Sequence, residues 1–276
     1  MKLKNIITIT GIFALLFACA TNPFTGKKTM AFPGTSNSQL FPAAFAQYNQ
    51  VLSESKVVTG TKDAEMITRV GQRIATAAER WLTANGNPGY LKDYKWEYKL
   101  IQSEQVNAWC MPGGKIAFYT GILPIAQNET GVAAIMGHEV AHALANHGQQ
   151  RMSAGMVQQG ISLVGNVALA NDENLGLYNQ AFGIVSNVGG MLPFSRSHET
   201  EADKIGLYLM AIAGYNPDEA SELWKRMKAN SGGQAPPEFL STHPSNDSRI
   251  KSLKNLAPTA KAEAKKFGIT SFRAIN

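Results

Sequence analysis

The stretch "AAIMGHEVAHALANH" at 133–147 sets three residues that can do chemistry inside a run that otherwise suits a buried helix. Burying His138, Glu139 and His142 costs free energy unless something binds them. On a helix, residues four apart share a face, so the imidazoles of His138 and His142 converge while Glu139 stands about 100° around. Such a pair can hold Zn²⁺ at about 2.0–2.1 Å and leave a carboxylate beside the metal. The chemistry is then hydrolysis, with water acidified by a metal and its proton taken by Glu139.

A catalytic zinc also needs a third protein ligand and one open position. Downstream, "SHETEAD" offers His198, Glu199, Glu201 and Asp203. Glu199 and Asp203 are four apart, and two like charges on one helical face repel unless a cation or another partner stabilises them. Glu199 is therefore read as the third ligand, and Asp203 as the acid that orients a ligating histidine. Glu201 reads as a solvated helical acid, and His198 and His147 as surface residues.

Elements must exist to bring these groups together. Thr61 can cap a helix carrying Met66, Val70, Ile74, Ala77 and Trp81 on one face, ending before "NGNPG" at 85–89. "YKWEYKLI" (94–101) alternates as a half-buried strand does, and "VNAWCM" and "KIAFYTG" flank a "PGG" turn at 112–114. Asn128 can cap the helix that carries the histidine pair. The segment 152–194 is apolar but salted with Gly, Gln and Asn, and reads as a mobile helical segment near the site. "FSRSHETEADKIGLYLMAIAGY" reads as a helix ending at Gly214, and "NPDEASELWKRMK" as one capped by Asn216 with Pro217 in its first turn. "SGGQAPP" is a loop, a further helix begins near Ser245, and "TAKAEAKKFG" is a separate short solvated helix.

At 276 residues, with 44% hydrophobic and 17% charged side chains, the chain can bury a sizeable core. A net charge of +6, with no dense basic block, gives no reason to expect a nucleic-acid partner. The start, "MKLKN" followed by "IITITGIFALLFA", has the basic and apolar regions of a signal peptide and is short for a bilayer span. It ends at "LFAC", which resembles a bacterial lipobox. That makes 1–18 a lipoprotein signal peptide, Cys19 the lipidated residue, 19–39 a tether with turns, and 40–276 the folded domain. Ala20 after the cysteine implies sorting to the outer membrane. Losing Lys2 and Lys4 with no acid lowers the charge from +6 to +4. Cys110 then has no partner within the chain and reads as a small buried hydrophobe.

H-E-x-x-H at 138–142 followed by E-x-x-x-D at 199–203 resembles the CAAX-prenyl-protease-related gluzincin zinc metallopeptidases, a family that includes HtpX-, BepA- and LoiP-like periplasmic peptidases. "NPFTGKK", "NAWCMPGGKIAFYTGIL" and "STHPSNDSRI" extend the likeness over most of 19–256. It implies an α+β, mostly helical zincin-type fold with a small mixed β-sheet beside the zinc helix. It further implies one Zn²⁺ per chain on His138, His142 and Glu199, Glu139 as general base, and Asp203 at the family's acid position. By the same matching, Asn107 and Ala108 lie on a strand edge that receives extended substrate, and His243 and Arg249 approach the metal from the C-terminal side.

His243 precedes Pro244, which favours an exposed turn. From there its imidazole could close the zinc's open position as a fourth, latent-state ligand, with Arg249 stabilising the oxyanion once it withdraws. The expected activity is cleavage of unfolded or misassembled cell-envelope proteins by a periplasmic enzyme anchored at the inner leaflet of the outer membrane. Two alternatives stand beside it: a lipid-anchored chaperone-like or binding protein with a structural zinc, and a zinc hydrolase acting on something other than peptides. A structural site is usually closed by four ligands and has no use for Glu139.

Overall fold

In a computed structural model, the structure describes residues 18–31, 36–158, 195–230 and 238–273. The signal-peptide reading of 1–18 therefore falls almost wholly outside the described residues, as do 159–194 of the expected mobile segment and the "SGGQAPP" loop.

The first described piece corrects an expectation. Strands β1 (Ala18–Thr21) and β2 (Lys28–Ala31) pair antiparallel, so a hairpin stands where a tether was expected. Asn22 makes its turn self-sufficient: its Oδ1 accepts from Phe24 N–H at 2.8 Å, and its carbonyl accepts from Gly26 N–H at 2.8 Å. Phe24 then stacks on Trp81, with ring centroids 4.5 Å apart. Turn composition signalled the bend but not the pairing.

Helix α1 (Asn37–Ser53) and the long α2 (Lys62–Ala84) follow, with a two-residue strand β3 (Val57–Val58) between them. Thr61 caps α2 by accepting from Ala64 N–H, and Val70, Ile74, Ala77 and Trp81 are buried along the expected face. Strands β4 (Glu97–Ile101), β5 (Ala108–Met111) and β6 (Lys115–Tyr119) complete a mixed sheet of order β3-β4-β6-β5, with β4 and β6 parallel. The PGG turn reverses the chain between β5 and β6, where Gly113 and Gly114 take φ of 80° and 86°. Strand β5 is therefore left at an edge.

After a short α3 (Leu123–Ala126), Asn128 accepts from Gly131 N–H and starts α4 (Glu129–Leu144), a cap worth about 1 kcal/mol. Apolar residues surround α4 on nearly every side, so it runs through the core instead of lying on it. Asn146 has a positive φ of 57°, a conformation asparagine tolerates, and the chain turns there into α5 (His147–Gln158).

Helix α6 (Arg196–Ile212) crosses α4 at a point set by two glycines. A Cβ on Gly206 would fall 2.9 Å from Gly137 C and His138 N, and one on Gly137 would fall 2.8 Å from Gly206 O. The backbones that carry His138 and Glu199 can thus approach as no larger residue would allow. Helix α7 (Asp218–Asn230) and the short α8 (Glu238–Thr242) come next, with Phe239 N–H bound to Val106 O at 3.1 Å.

The last helix, α9 (Asp247–Lys265), is capped by Asn246 rather than Ser245, whose hydroxyl donates instead to Trp224 O. It also absorbs the separate helix expected at 259–268. Pro258 removes one backbone bond, yet Leu253, Ala257, Ala260 and Ala264 stay buried along one face and hold the helix in register. The outcome is the α+β class expected: a mostly helical body beside one small mixed sheet.

Candidate active site

The fold brings His138, His142, Glu199 and His243 into one buried cluster, with one possible ligand atom from each lying within 4.8 Å of the others. Two of the four come from α4 and one from the first turn of α6. The fourth is fixed by the tie between Phe239 and Val106, because His243 N–H closes the last turn of α8 on Phe239 O. That turn is not the exposed one expected beside Pro244, since His243 is 3% exposed.

The separations fit a metal. His138 Nε2 lies 3.0 Å from His142 Nε2 and 3.2 Å from His243 Nδ1. Glu199 Oε1 stands 3.2 Å from His142 Nε2 and 2.9 Å from His243 Nδ1. Ligands placed tetrahedrally at about 2.0–2.1 Å from zinc would be about 3.3 Å apart.

The surrounding bonds also fix where the lone pairs point. Asp203 Oδ1 lies 3.0 Å from His138 Nδ1 and accepts its proton, so His138 Nε2 is the nitrogen left for a metal. Burial alone would lower the His138 pKa, but the charge of Glu199 and the bond to Asp203 hold the metal-free group at about 9. The proton a metal displaces is then the one on Nε2.

For His142 the partner is another imidazole: His147 Nδ1 lies 3.0 Å from His142 Nδ1, and His147 Nε2 lies 2.8 Å from Glu201 Oε2. A carboxylate only accepts, so His147 donates from Nε2 and accepts at Nδ1. His142 must then donate from Nδ1, and its Nε2 also presents a lone pair to the cluster. His147, expected at the surface, has 0% exposure. Glu201, expected in solvent, is held at a pKa of about 2, chiefly by its bond to His147. His198 is half-buried, its ring stacked 4.3 Å from that of His147. Helical periodicity could not find His147, because the break at Asn146 is what swings its ring back onto His142.

The two acids that share a face on α6 do have a cation between them. Arg249 Nη1 lies 2.6 Å from Glu199 Oε2, while its Nη2 and Nε lie 2.7 and 2.9 Å from the Asp203 oxygens. Its guanidinium also covers Trp224, with Cζ 3.6 Å from the ring centroid. Burial raises the pKa of Asp203, and Arg249 together with His138 more than offsets this, leaving it below the usual range. Arg249 donates to Asp203 and Pro244 O, pairs with Glu199 and has Nη2 3.4 Å from the His138 ring, so the oxyanion role expected of it would require breaking those contacts.

Glu139 differs from these acids in the direction of its pKa, which is raised where theirs are lowered. It is buried, its Oε1 has no hydrogen-bond donor among the described residues, and His243 Nε2 stands 3.5 Å away. Burial raises its pKa above the usual carboxylate range, as suits a base. Glu139 and His243 share a cleft with Asn107, Ala108, Trp109 and Cys110 of the β5 edge. Asn107 O accepts from Tyr119 N–H, so by alternation the peptide groups of Ala108 and Cys110 face away from β6. Ala108 N–H is taken by the Asn107 carboxamide oxygen at 2.9 Å. The Cys110 thiol is free, buried and pushed up in pKa by that burial, as a small hydrophobe would be.

Known proteins resemble this chain in sequence. Mitochondrial metalloendopeptidase OMA1 of Schizosaccharomyces pombe is 39% identical over 175 residues, 63% of this chain and 50% of that protein. Metalloendopeptidase OMA1, mitochondrial, of Homo sapiens is 28% identical over 269 residues, 90% of this chain and 49% of that protein. The beta-barrel assembly-enhancing protease of Escherichia coli is 27% identical over 165 residues, 57% of this chain and 34% of that protein. The chain spans about half the length of the OMA1 relatives it matches, and the likeness reaches mitochondrial proteins as well as a bacterial one. The family model of Peptidase family M48 matches residues 62–257, more than half of the chain. With its zinc-helix pair, its distant glutamate and its zincin-type α+β fold, this chain belongs to Peptidase family M48, whose metalloproteases use zinc.

Proposed function

We propose that this chain is a zinc metalloendopeptidase that holds one Zn²⁺ on His138, His142 and Glu199 and uses Glu139 as general base. One observation carries the reading: a buried carboxylate, its Oε1 without a hydrogen-bond donor among the described residues, lies beside a metal-sized cluster, in a cleft walled by an open strand edge. Bound there, zinc supplies a Lewis acid that acidifies water and polarises a carbonyl. The chain's own groups do the rest. A peptide lies extended along β5, where Ala108 and Cys110 offer backbone partners once the Asn107 carboxamide gives way. Glu139 takes the proton of the attacking water and delivers it to the leaving amine. Asp203 orients His138, and Arg249 keeps Glu199 and Asp203 charged.

His243 acts as a gate in this reading. In the cluster it makes a fourth ligand, which closes the site and leaves no open position. Replacing it with alanine should raise basal proteolysis or self-cleavage at unchanged zinc content. Lost activity at full zinc would instead make His243 part of catalysis and remove the gate.

The substrates we propose are unfolded or misassembled envelope polypeptides, because backbone pairing along an edge asks little of sequence. A β-barrel assembly-enhancing protease among the relatives favours this reading. The lipobox-like "LFAC" favours anchoring through Cys19 at the periplasmic face of the outer membrane. Among the described residues no helix is long and apolar enough to cross a membrane. A palmitate analogue should label the wild type and not Cys19→Ser; equal label would reject the anchor.

Zinc content and casein cleavage, measured on wild type and Glu139→Gln, test the main proposal. Cleavage confined to wild type with zinc in both proteins supports it. Zinc in both with cleavage by neither favours a binding protein with a structural metal, and cleavage by both removes Glu139 from the chemistry.

A further inference from the structure

The cluster does not end at its ligands. His142 leans on His147, His147 leans on Glu201, and Glu201 faces the turn of the N-terminal hairpin, where Lys27 Nζ stands 3.7 Å from Glu201 Oε1. The hairpin is seated by more than this one charge. Phe24 is stacked on Trp81 of α2, and β2 lies along α5, the helix that His147 opens. The His147 ring is fixed on a third side by His198, whose Nε2 is 3.1 Å from Gln150 Oε1.

From this arrangement we infer that Glu201 and His147 are positioning residues that fix the proton of His142 on Nδ1, and that the docked hairpin is the outermost layer of the metal site. The inference rests on the zinc reading. Neutral imidazole can carry its proton on either nitrogen, and only the Nδ1–H form presents a lone pair at Nε2 toward the cluster. Without an acceptor at His147 Nδ1, His142 is free to take the other form, in which the proton sits where the metal must bind. His147 without Glu201 can itself flip, turn a donor toward His142 and reverse the chain. The hairpin works one step further out, shielding Glu201 and setting a positive charge opposite His147. A carboxylate–imidazole–imidazole chain therefore serves His142 as the single carboxylate of Asp203 serves His138. Partners of this kind commonly change metal affinity by about 10–100-fold.

The test uses the full chain and zinc itself. Zinc affinity is read by competition with a chromophoric chelator, and the protonated nitrogen of His142 by long-range proton–nitrogen NMR of the zinc-loaded protein. Wild type should show Nδ1–H on His142. His147→Leu should bind zinc about 10–100-fold more weakly. His147→Asn, whose Oδ1 falls near the lost Nδ1, should recover most of that loss, which a merely space-filling histidine would not predict. Glu201→Gln should fall between these two, and Phe24→Ala, which unseats the hairpin, should weaken zinc by a smaller factor in the same direction.

If His147→Leu does not fold, Glu201→Gln and His147→Asn decide the matter. Zinc affinity unchanged in Glu201→Gln, or equally poor in Asn and Leu at position 147, would overturn the relay. Affinity unchanged in Phe24→Ala would remove the hairpin from it. A wild type that takes up no zinc would overturn the zinc reading and the relay together, whereas zinc bound equally by all variants would overturn the relay alone.

Discussion

Helix α4 carries one glutamate at its start and another near its middle, and the two have opposite surroundings. Glu129 accepts from Arg69 Nη2 at 2.7 Å and from the Tyr215 hydroxyl at 2.8 Å, with Arg273 nearby. Burial pushes its pKa up, but the Arg69 and Tyr215 bonds outweigh that and leave it below the usual range. It also sits in the first turn, where the helix dipole favours an anion. Glu139 is more deeply buried, lacks a donor at Oε1, and has a raised pKa. The first acid joins helices α2 and α4 to the chain beyond α6. The second is left with free capacity to take a proton. An acid whose bonds are all made holds structure together, and one left short of partners in a buried cleft is where chemistry is to be sought.

Four substitutions bear on this contrast. The largest effect is expected for Glu199→Ala, which removes a proposed ligand and leaves Arg249 buried beside the gap. The purified variant should contain no zinc and cleave nothing, and retained stoichiometric zinc would mean that Glu199 is not a ligand. Next comes the direct comparison on α4. Glu139→Gln should keep its zinc and lose at least about 10²-fold in casein cleavage, while Glu129→Gln should stay within about twofold of wild type. Similar losses for both would erase the distinction.

Gly206→Ala is intermediate. Its new Cβ meets the α4 backbone at 2.9 Å, and forcing the helices apart should cost about 1–3 kcal/mol, read as a lower melting temperature together with weaker zinc binding. A variant that melts lower but binds zinc normally would show that the crossing supports the fold without setting the site.

The smallest effect is that of Glu129→Gln on stability. It should cost about 1 kcal/mol near pH 7. Because the folded pKa of Glu129 is depressed, its stabilising effect is full above the unfolded value of about 4.3 and is lost as pH falls through the folded one. The gap between wild type and variant in urea melts should therefore close below about pH 4. A gap that stays constant down to pH 3 would show that its bonds do not depend on charge.

Much of the site was legible because its chemistry has a helical spacing. His138, His142, Glu199 and Asp203 follow the four-residue period of α4 and α6, and Asn128 and Thr61 announced their helices by capping chemistry. What escaped depended on contacts between segments far apart in sequence. His147 lies five residues from His142 and reaches it only through the left-handed backbone at Asn146. Glu201 lies against His147 and the turn of the N-terminal hairpin, and His243 follows a turn tied to the strand region through Phe239 and Val106. Pro258 does not divide α9, although a separate helix was expected just after it, because four buried side chains on one face outweigh a missing backbone bond.

Strand β5 ends its sheet with peptide groups turned outward, and such an edge can recruit any extended chain, including another copy of this one. The Asn107 carboxamide sits on the outward N–H of Ala108 and works as a removable stopper. A chain already aligned in the cleft can displace it, whereas a chance neighbour has little to offer in exchange. Asn107→Ala should then make the protein stickier as well as altering peptide binding, which sedimentation velocity at rising concentration would reveal. Solubility at high local density, a property seldom traced to a cleft of this kind, would here be guarded by one side chain at the edge of the sheet.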